Sequence, residues 1–311
     1  MTALRTDHPG TEMETLCGLF GKSRQAYYQR SKYIYNKGLK EEILLQMVKK
    51  ERKKMPRIGG RKLLHLIQPK LPLELYLGRD LFFDFLRSNG LLVKKRHNRT
   101  RTTNSNHWLR RYPNLIVGFI PDHAHQLLVS DITYIETEEG FVYLSLITDG
   151  YSRKVVGWEL GATLEAKHSI KALRMAIRQL PCGIEGTFHH SDRGVQYCSG
   201  DYVKLLLKNH FRISMTESGD PLENAIAERV NGILKDEWLN GMTFKTIEEA
   251  RVQIGKVIKV YNQSRPHSSL DMQTPDSVHT QSGTLKKHWK NYYKMKSNDS
   301  FVEPNKVMVT L

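Results

Sequence analysis

Three acidic residues in this 311-residue chain stand where a carboxylate is costly or conspicuously grouped. Asp131 interrupts the apolar run Leu127-Leu128-Val129-Ser130-Asp131-Ile132-Thr133. An ionised carboxylate in a buried strand destabilises the fold unless it is paired, hydrogen-bonded or bound to a metal. Asp192 follows directly on the short apolar stretch that ends His189-His190, at the C-terminal edge of a strand, where sites in α/β proteins tend to lie. Glu228 lies in a helical stretch with two faces. At about 100° per residue, Leu222, Ile226, Val230 and Ile233 gather on one side, and Asn224, Glu228, Asn231 and Lys235 on the other. Three carboxylates offer oxygen ligands only, which suits Mg²⁺ or Mn²⁺ rather than zinc. Two such ions about 3.5–4 Å apart can activate an attacking hydroxyl and stabilise the leaving oxygen of an in-line phosphoryl transfer. Lys235, Asn231 and Asn224 would then face phosphate. Taken singly, each acid serves equally well as a cap, a surface group or an ion-pair partner, and the chain has 32 acids.

The elements that must position these groups follow from periodicity. Residues 127–135, 141–148 and 154–160 are strand-like, and the short turns Glu139-Gly140 and Asp149-Gly150 predict an antiparallel meander. Residues 165–180 switch to helical spacing through Ala166, Ile170, Leu173, Ile177 and Leu180. A strand at 187–190, a helix at 201–209, a strand at 211–215 and two helices at about 221–239 and 246–262 complete the set. The order predicts an α/β fold, a mixed sheet covered by helices. Ahead of it, residues 12–30 read as two short helices about a turn, and further helices are expected at 39–54, 61–67 and 81–87, the last stopped by Asn89-Gly90. We expect a helix-turn-helix-like segment over 1–55, a second helical DNA-binding segment over 56–93, a basic linker over 94–112, the catalytic core over 113–280 and a basic, aromatic tail over 281–311.

The charge divides along the same boundary. Residues 1–112 carry 25 Lys and Arg against 9 Asp and Glu, and residues 113–311 carry 23 of each, so the whole net charge of +16 lies in the first third. A basic front end on a balanced second part points to nucleic acid as partner. The three cysteines are odd in number and lack C-x-x-C spacing, which implies no disulfide framework and fits a reducing cytoplasm. No apolar run is long enough for a membrane helix, and no signal-peptide pattern opens the chain.

The motifs around the acids carry a resemblance. Ser130-Asp131-Ile132-Thr133-Tyr134-Ile135 resembles the first acidic motif of insertion-sequence transposases of the IS-three family, relatives of retroviral integrases. His190-Ser191-Asp192-Arg193-Gly194-Val195-Gln196-Tyr197 is similar to the second. Glu223-Asn224-Ala225-Ile226-Ala227-Glu228-Arg229, followed by Leu234-Lys235-Asp236-Glu237, resembles the third, and 35 residues lie between Asp192 and Glu228. Downstream, Tyr261-Asn262-Gln263-Ser264-Arg265-Pro266-His267-Ser268-Ser269-Leu270 and Thr274-Pro275 resemble the family's C-terminal signature. Leu128 stands where the family commonly has Trp, and Glu223 where Asp or Asn is usual.

The resemblance implies a ribonuclease-H-like core and divalent-metal-dependent cleavage and strand transfer at the ends of a mobile element. Asp131, Asp192 and Glu228 would be the metal ligands, with Mg²⁺ expected and Mn²⁺ an alternative. Lys235, Asn231, Asn224 and Arg229 would contact DNA beside them. His190 and Gln196 would position the strand or a metal-bound water. Arg265 and His267 either contact DNA or pack the closing helices. The family usually fuses this product to a short upstream reading-frame product, so that product is an expected partner, together with further copies of the chain on DNA and a place in the bacterial cytosol at the nucleoid. A nuclease of the same fold that cuts without joining, and a catalytically silent DNA-binding protein, are the competing functions.

Overall fold

The computed structural model describes residues 2–94, 108–182, 184–217 and 224–285. Most of the basic linker, residues 218–223 and the tail from 286 lie outside that range, so the expectations for Glu223, for the linker and for the tail lysines and aromatics are not addressed by it.

Five strands form one sheet in the order β3-β2-β1-β4-β5. They are β1 (Leu127–Thr137), β2 (Gly140–Asp149), β3 (Val155–Gly161), β4 (Phe188–Ser191) and β5 (Arg212–Met215). The first three pair antiparallel as the meander predicted. β4 and β5 then join parallel beside β1. Three antiparallel strands extended by two parallel ones, with helices on both faces, is the ribonuclease-H-like arrangement. Strand alternation divides the core. Leu128, Ile132 and Ile147 face α6 (Ala166–Ile177), α7 (Val195–Cys198) and α8 (Gly200–Lys208). α6 lies so close to β3 that a Cβ on Gly157 would meet the Ala172 carbonyl oxygen at 2.3 Å.

The opposite face carries α9 (Ala225–Glu237) and α10 (Ile247–Ser264), with α11 (Pro275–His279) closing the set. Here the front end departs from expectation. Beyond α1 (Thr2–Asp7) and α2 (Met13–Gly18), one helix, α3 (Arg24–Lys54), replaces the two predicted over 23–28 and 39–54. It begins at the expected cap, where Ser23 Oγ accepts from Ala26 N–H at 3.1 Å, and it runs through Gly38. A single glycine costs a helix only about 1 kcal/mol, which 31 residues of helix absorb. α4 (Gly60–Ile67) and α5 (Arg79–Ser88) follow as predicted. Leu44, Val48, Ile58, Leu63, Phe82 and Leu86 of this helical unit belong to the same buried cluster as Val142, Leu144, Val230, Phe244 and Tyr261 of the sheet and its helices. Trp238 Nε1 donates across the boundary to the Lys54 carbonyl at 2.8 Å. Among the described residues no helix is long and apolar enough to cross a membrane.

Candidate active site

Asp131 and Asp192 are brought together by strand register. β1 and β4 run parallel with Ser130 opposite Ser191, so the next residue on each chain is an aspartate at the same level. Adjacent strands lie about 4.8 Å apart, and both carboxylates are partly buried. Burial, first, and the neighbouring Asp192 carboxylate, second, push the Asp131 carboxyl up to about 7, with Glu228 adding to the rise. Two hydrogen bonds oppose it. Asn231 Nδ2 donates to Asp131 Oδ2 at 2.7 Å, and the Ile132 backbone N–H donates to Oδ1 at 2.9 Å.

α9 supplies the rest. The polar face read from its sequence turns toward β1. Asn224 Nδ2 donates to the Ser130 carbonyl at 3.1 Å, Asn231 reaches Asp131, and Lys235 Nζ reaches Thr133 Oγ1 at 3.3 Å. Four helical residues rise about 6 Å and two strand residues about 6.6 Å, so residues four apart on α9 match residues two apart on β1. The Lys235 ammonium also stands 3.8 Å from the centre of the Tyr134 ring. Burial lowers its pKa, opposed by Tyr134, Asp236 and Asp131. Asn224 and Asn231 are buried, and each has a carbonyl Oδ1 with no hydrogen-bond partner. Glu228 is exposed in the first turn of α9, within electrostatic reach of Asp131.

The remaining candidates divide. His190 is buried, with Nδ1 2.9 Å from Ser214 Oγ. Gln196 Nε2 donates to the Leu164 carbonyl at 2.9 Å. Arg229 is exposed beside Glu228. Arg265 is 1% exposed, and its guanidinium grips Glu237 through two hydrogen bonds of 2.7 and 2.6 Å. Of the two roles open to Arg265, packing is the one this position serves. His267 is buried beside it. Sequence reasoning missed the support under β1, where His189 Nε2 lies 2.8 Å from Ser130 Oγ and 2.9 Å from the Tyr202 phenolic Oη. Its only signal was a second histidine in the His189-His190 pair.

The donors suit a hard divalent cation, because two carboxylates at one level repel each other and only oxygen is offered. Among the described residues, no three acid, histidine or cysteine side chains converge closely enough to enclose an ion as they stand.

Integrase core domain models match residues 121–221 and 209–275. An uncharacterized 31 kDa protein of insertion element IS600 from Shigella sonnei is 34% identical over 266 residues, 84% of this chain and 96% of that protein. The transposase InsF for insertion sequence IS3fB of Escherichia coli K12 is 33% identical over 200 residues, 63% of this chain and 68% of the relative. The chain belongs to the IS3 family of transposases. It is a DNA transposase, and as a carrier of the integrase core it is a polynucleotidyl transferase. Integrase-core enzymes of this kind use divalent metal ions. The HTLV-2 integrase catalytic core in complex with magnesium has 20% sequence identity and a TM-score of 0.40, covering 52% of this chain and 98% of that one.

Proposed function

We propose that Asp131, Asp192 and Glu228 hold Mg²⁺, or Mn²⁺ in its place, and that this IS3-family transposase cleaves and joins DNA at the ends of its element. The observation that supports this is the register of β1 and β4, which sets two carboxylates side by side. Glu228, exposed in the first turn of α9 and within electrostatic reach of Asp131, completes the set. When bound, the metal ions supply charge stabilisation for the attacking and leaving oxygens. Asn231 and the Ile132 N–H orient Asp131 by donating to Oδ2 and Oδ1, one bond to each oxygen. Lys235, steadied on Tyr134, supplies positive charge for a phosphate beside the carboxylates. Arg229 and Gln196 flank the strand's path, the buried Asn224 and His190 brace β1 and β4 behind it, and His267 and Arg265 hold α10's end in place.

The active assembly contains several copies of the chain on DNA, joined or fused to the upstream reading-frame product, in the bacterial cytoplasm. The helical segments over 1–55 and 56–93 and the basic linker recognise the element's ends, and the core over 113–280 performs the chemistry. The test is strand transfer with labelled DNA carrying the element's own ends, Mg²⁺ or Mn²⁺, and the upstream product present or absent. Metal-dependent joining that vanishes in Asp192→Asn is the expected result. Cleavage without joining would assign a nuclease instead.

A further inference from the structure

Among the described residues, the cations gathered at the seam where α4 and α9 approach each other, Lys62, Arg229 and Arg265, outnumber the one acid among them, Glu237. α4 starts after Gly59, which offers no capping side chain, and its first turn has no acid. That turn carries Arg61 and Lys62 instead. A helix N-terminus already presents unpaired N–H groups and partial positive charge, so two cations placed there are unfavourable without an anion.

Lys62 is half-buried, and its charged neighbours are Arg265, Glu237 and Arg229. Glu237 is the acid among them, and both its oxygens are taken by Arg265. Among the described residues neither Lys62 nor Arg229 has a carboxylate at ion-pair distance. The charges around His267 are Arg265, Arg153, Lys62 and Arg229. That ring is 6% exposed. Its Nδ1 meets Ser269 Oγ at 2.8 Å, and its buried Nε2 has no partner. A partly desolvated ammonium without a counter-ion and a buried ring nitrogen without a partner both mark a missing ligand.

We propose that this seam binds one backbone phosphate of the DNA strand held at the acidic site. Lys62 and Arg229 supply the charge, and the N–H groups of α4's first turn and the Nε2–H tautomer of His267 donate to the phosphate oxygens. Arg229 directly follows Glu228, so the phosphate lies next to the one undergoing reaction, and the helical unit touches the same strand as the catalytic sheet. The assignment rests on the DNA-joining function proposed above.

The test measures binding of the full chain to a fluorescent duplex ending in the element's own terminal sequence, across a range of salt concentrations. Each phosphate contact contributes about 0.9 to the slope of log affinity against log salt. Lys62→Gln and Arg229→Gln should each lower that slope by less than about 0.9, and the double variant by about 0.9 in all, because the two share one phosphate. Lys62→Arg should retain the wild-type slope. Thermal melting of each variant confirms that it is folded. Unchanged slopes in folded variants, or a double variant that loses about 1.8, the worth of two separate phosphates, would overturn the shared site. Inorganic phosphate at constant ionic strength that raises the wild-type melting temperature, with no slope change in the variants, would assign the seam to a free anion and overturn the DNA assignment. A wild-type chain that binds no DNA would instead overturn the function on which the site rests.

Discussion

Asn231, in the middle of α9, donates its side-chain amide to Asp131 Oδ2, in the middle of β1, across 2.7 Å. This bond fixes the carboxylate's rotation and stabilises its charged form against burial and against Asp192. Groups that orient a metal ligand are typically worth about 10–100-fold in metal affinity. Asn231→Leu should therefore weaken Mn²⁺ binding, measured by calorimetry, by about that factor, with the melting temperature of the metal-free protein little changed. Wild-type Mn²⁺ affinity in the variant would remove Asn231 from the site's support.

The carboxylates themselves should separate chemistry from binding. Asp192→Asn and Glu228→Gln each change one oxygen to an amide at nearly constant shape. Strand transfer should fall to background in both, while affinity for the element's end stays near wild type. Joining by either purified variant at a rate near the parent's would sink the assignment of that residue.

Arg265 and Glu237 form a buried pair, and removing one partner of such a pair leaves an uncompensated charge, at a cost of about 3–5 kcal/mol. Arg265→Met should lower stability in urea by about that amount. Combining it with Glu237→Gln should recover a large part of the loss. Additive losses in the double variant would show that packing, not charge, is what Arg265 contributes.

Acid should loosen the fold through three histidines that burial holds neutral, opposed by the raised carboxyl of Asp131. Burial holds His189 neutral down to about 3. Burial, with Arg265 and the other seam cations adding, holds His267 neutral down to about 2. Burial lowers His279 to about 4, with Asp149 opposing. All three titrate near 6.5 once unfolded. The unfolded chain then takes up protons that the native one excludes. Their contribution is fully present above pH of about 6.5 and is lost as the pH falls below it, at up to about 1.4 kcal/mol per unit for each histidine. Asp131, raised to about 7, takes up a proton in the native state over the same range and offsets about one histidine. Urea midpoints between about pH 7 and pH 5 should still fall on balance, and a flat profile would contradict it.

Most of the sheet could be read from sequence, because strand alternation is a local signal, and Asp131 stood out as an acid inside an apolar run. What α9's polar face looks at could not. Periodicity shows that Asn224, Asn231 and Lys235 share a side, but a polar side suits water, DNA or a strand carrying Asp131 and Thr133. Arg265 was undecided for a related reason. An arginine reads as exposed until the partner that neutralises it is known, and Glu237 lies 28 residues away. The continuity of α3 was hidden by Gly38, a common helix stop that tertiary packing further along overrides. The docking of the helical unit was illegible because Leu44, Leu63 and Phe82 show the same spacing whether they close a core of their own or join another.

That shared core limits how these proteins can be recombined. Leu44, Val48, Ile58, Leu63, Phe82 and Leu86 are buried in one cluster with residues of the catalytic part, and Lys54 is bonded to Trp238. A front end taken from a relative with a different DNA preference would bring its own apolar surface to a seam shaped for this one. On the role proposed for the helical front end in recognising the element's ends, changes in that preference are expected to accumulate by substitution on the outer faces of α2 and the first half of α3, which are not part of that seam, rather than by exchange of the helical unit as a cassette.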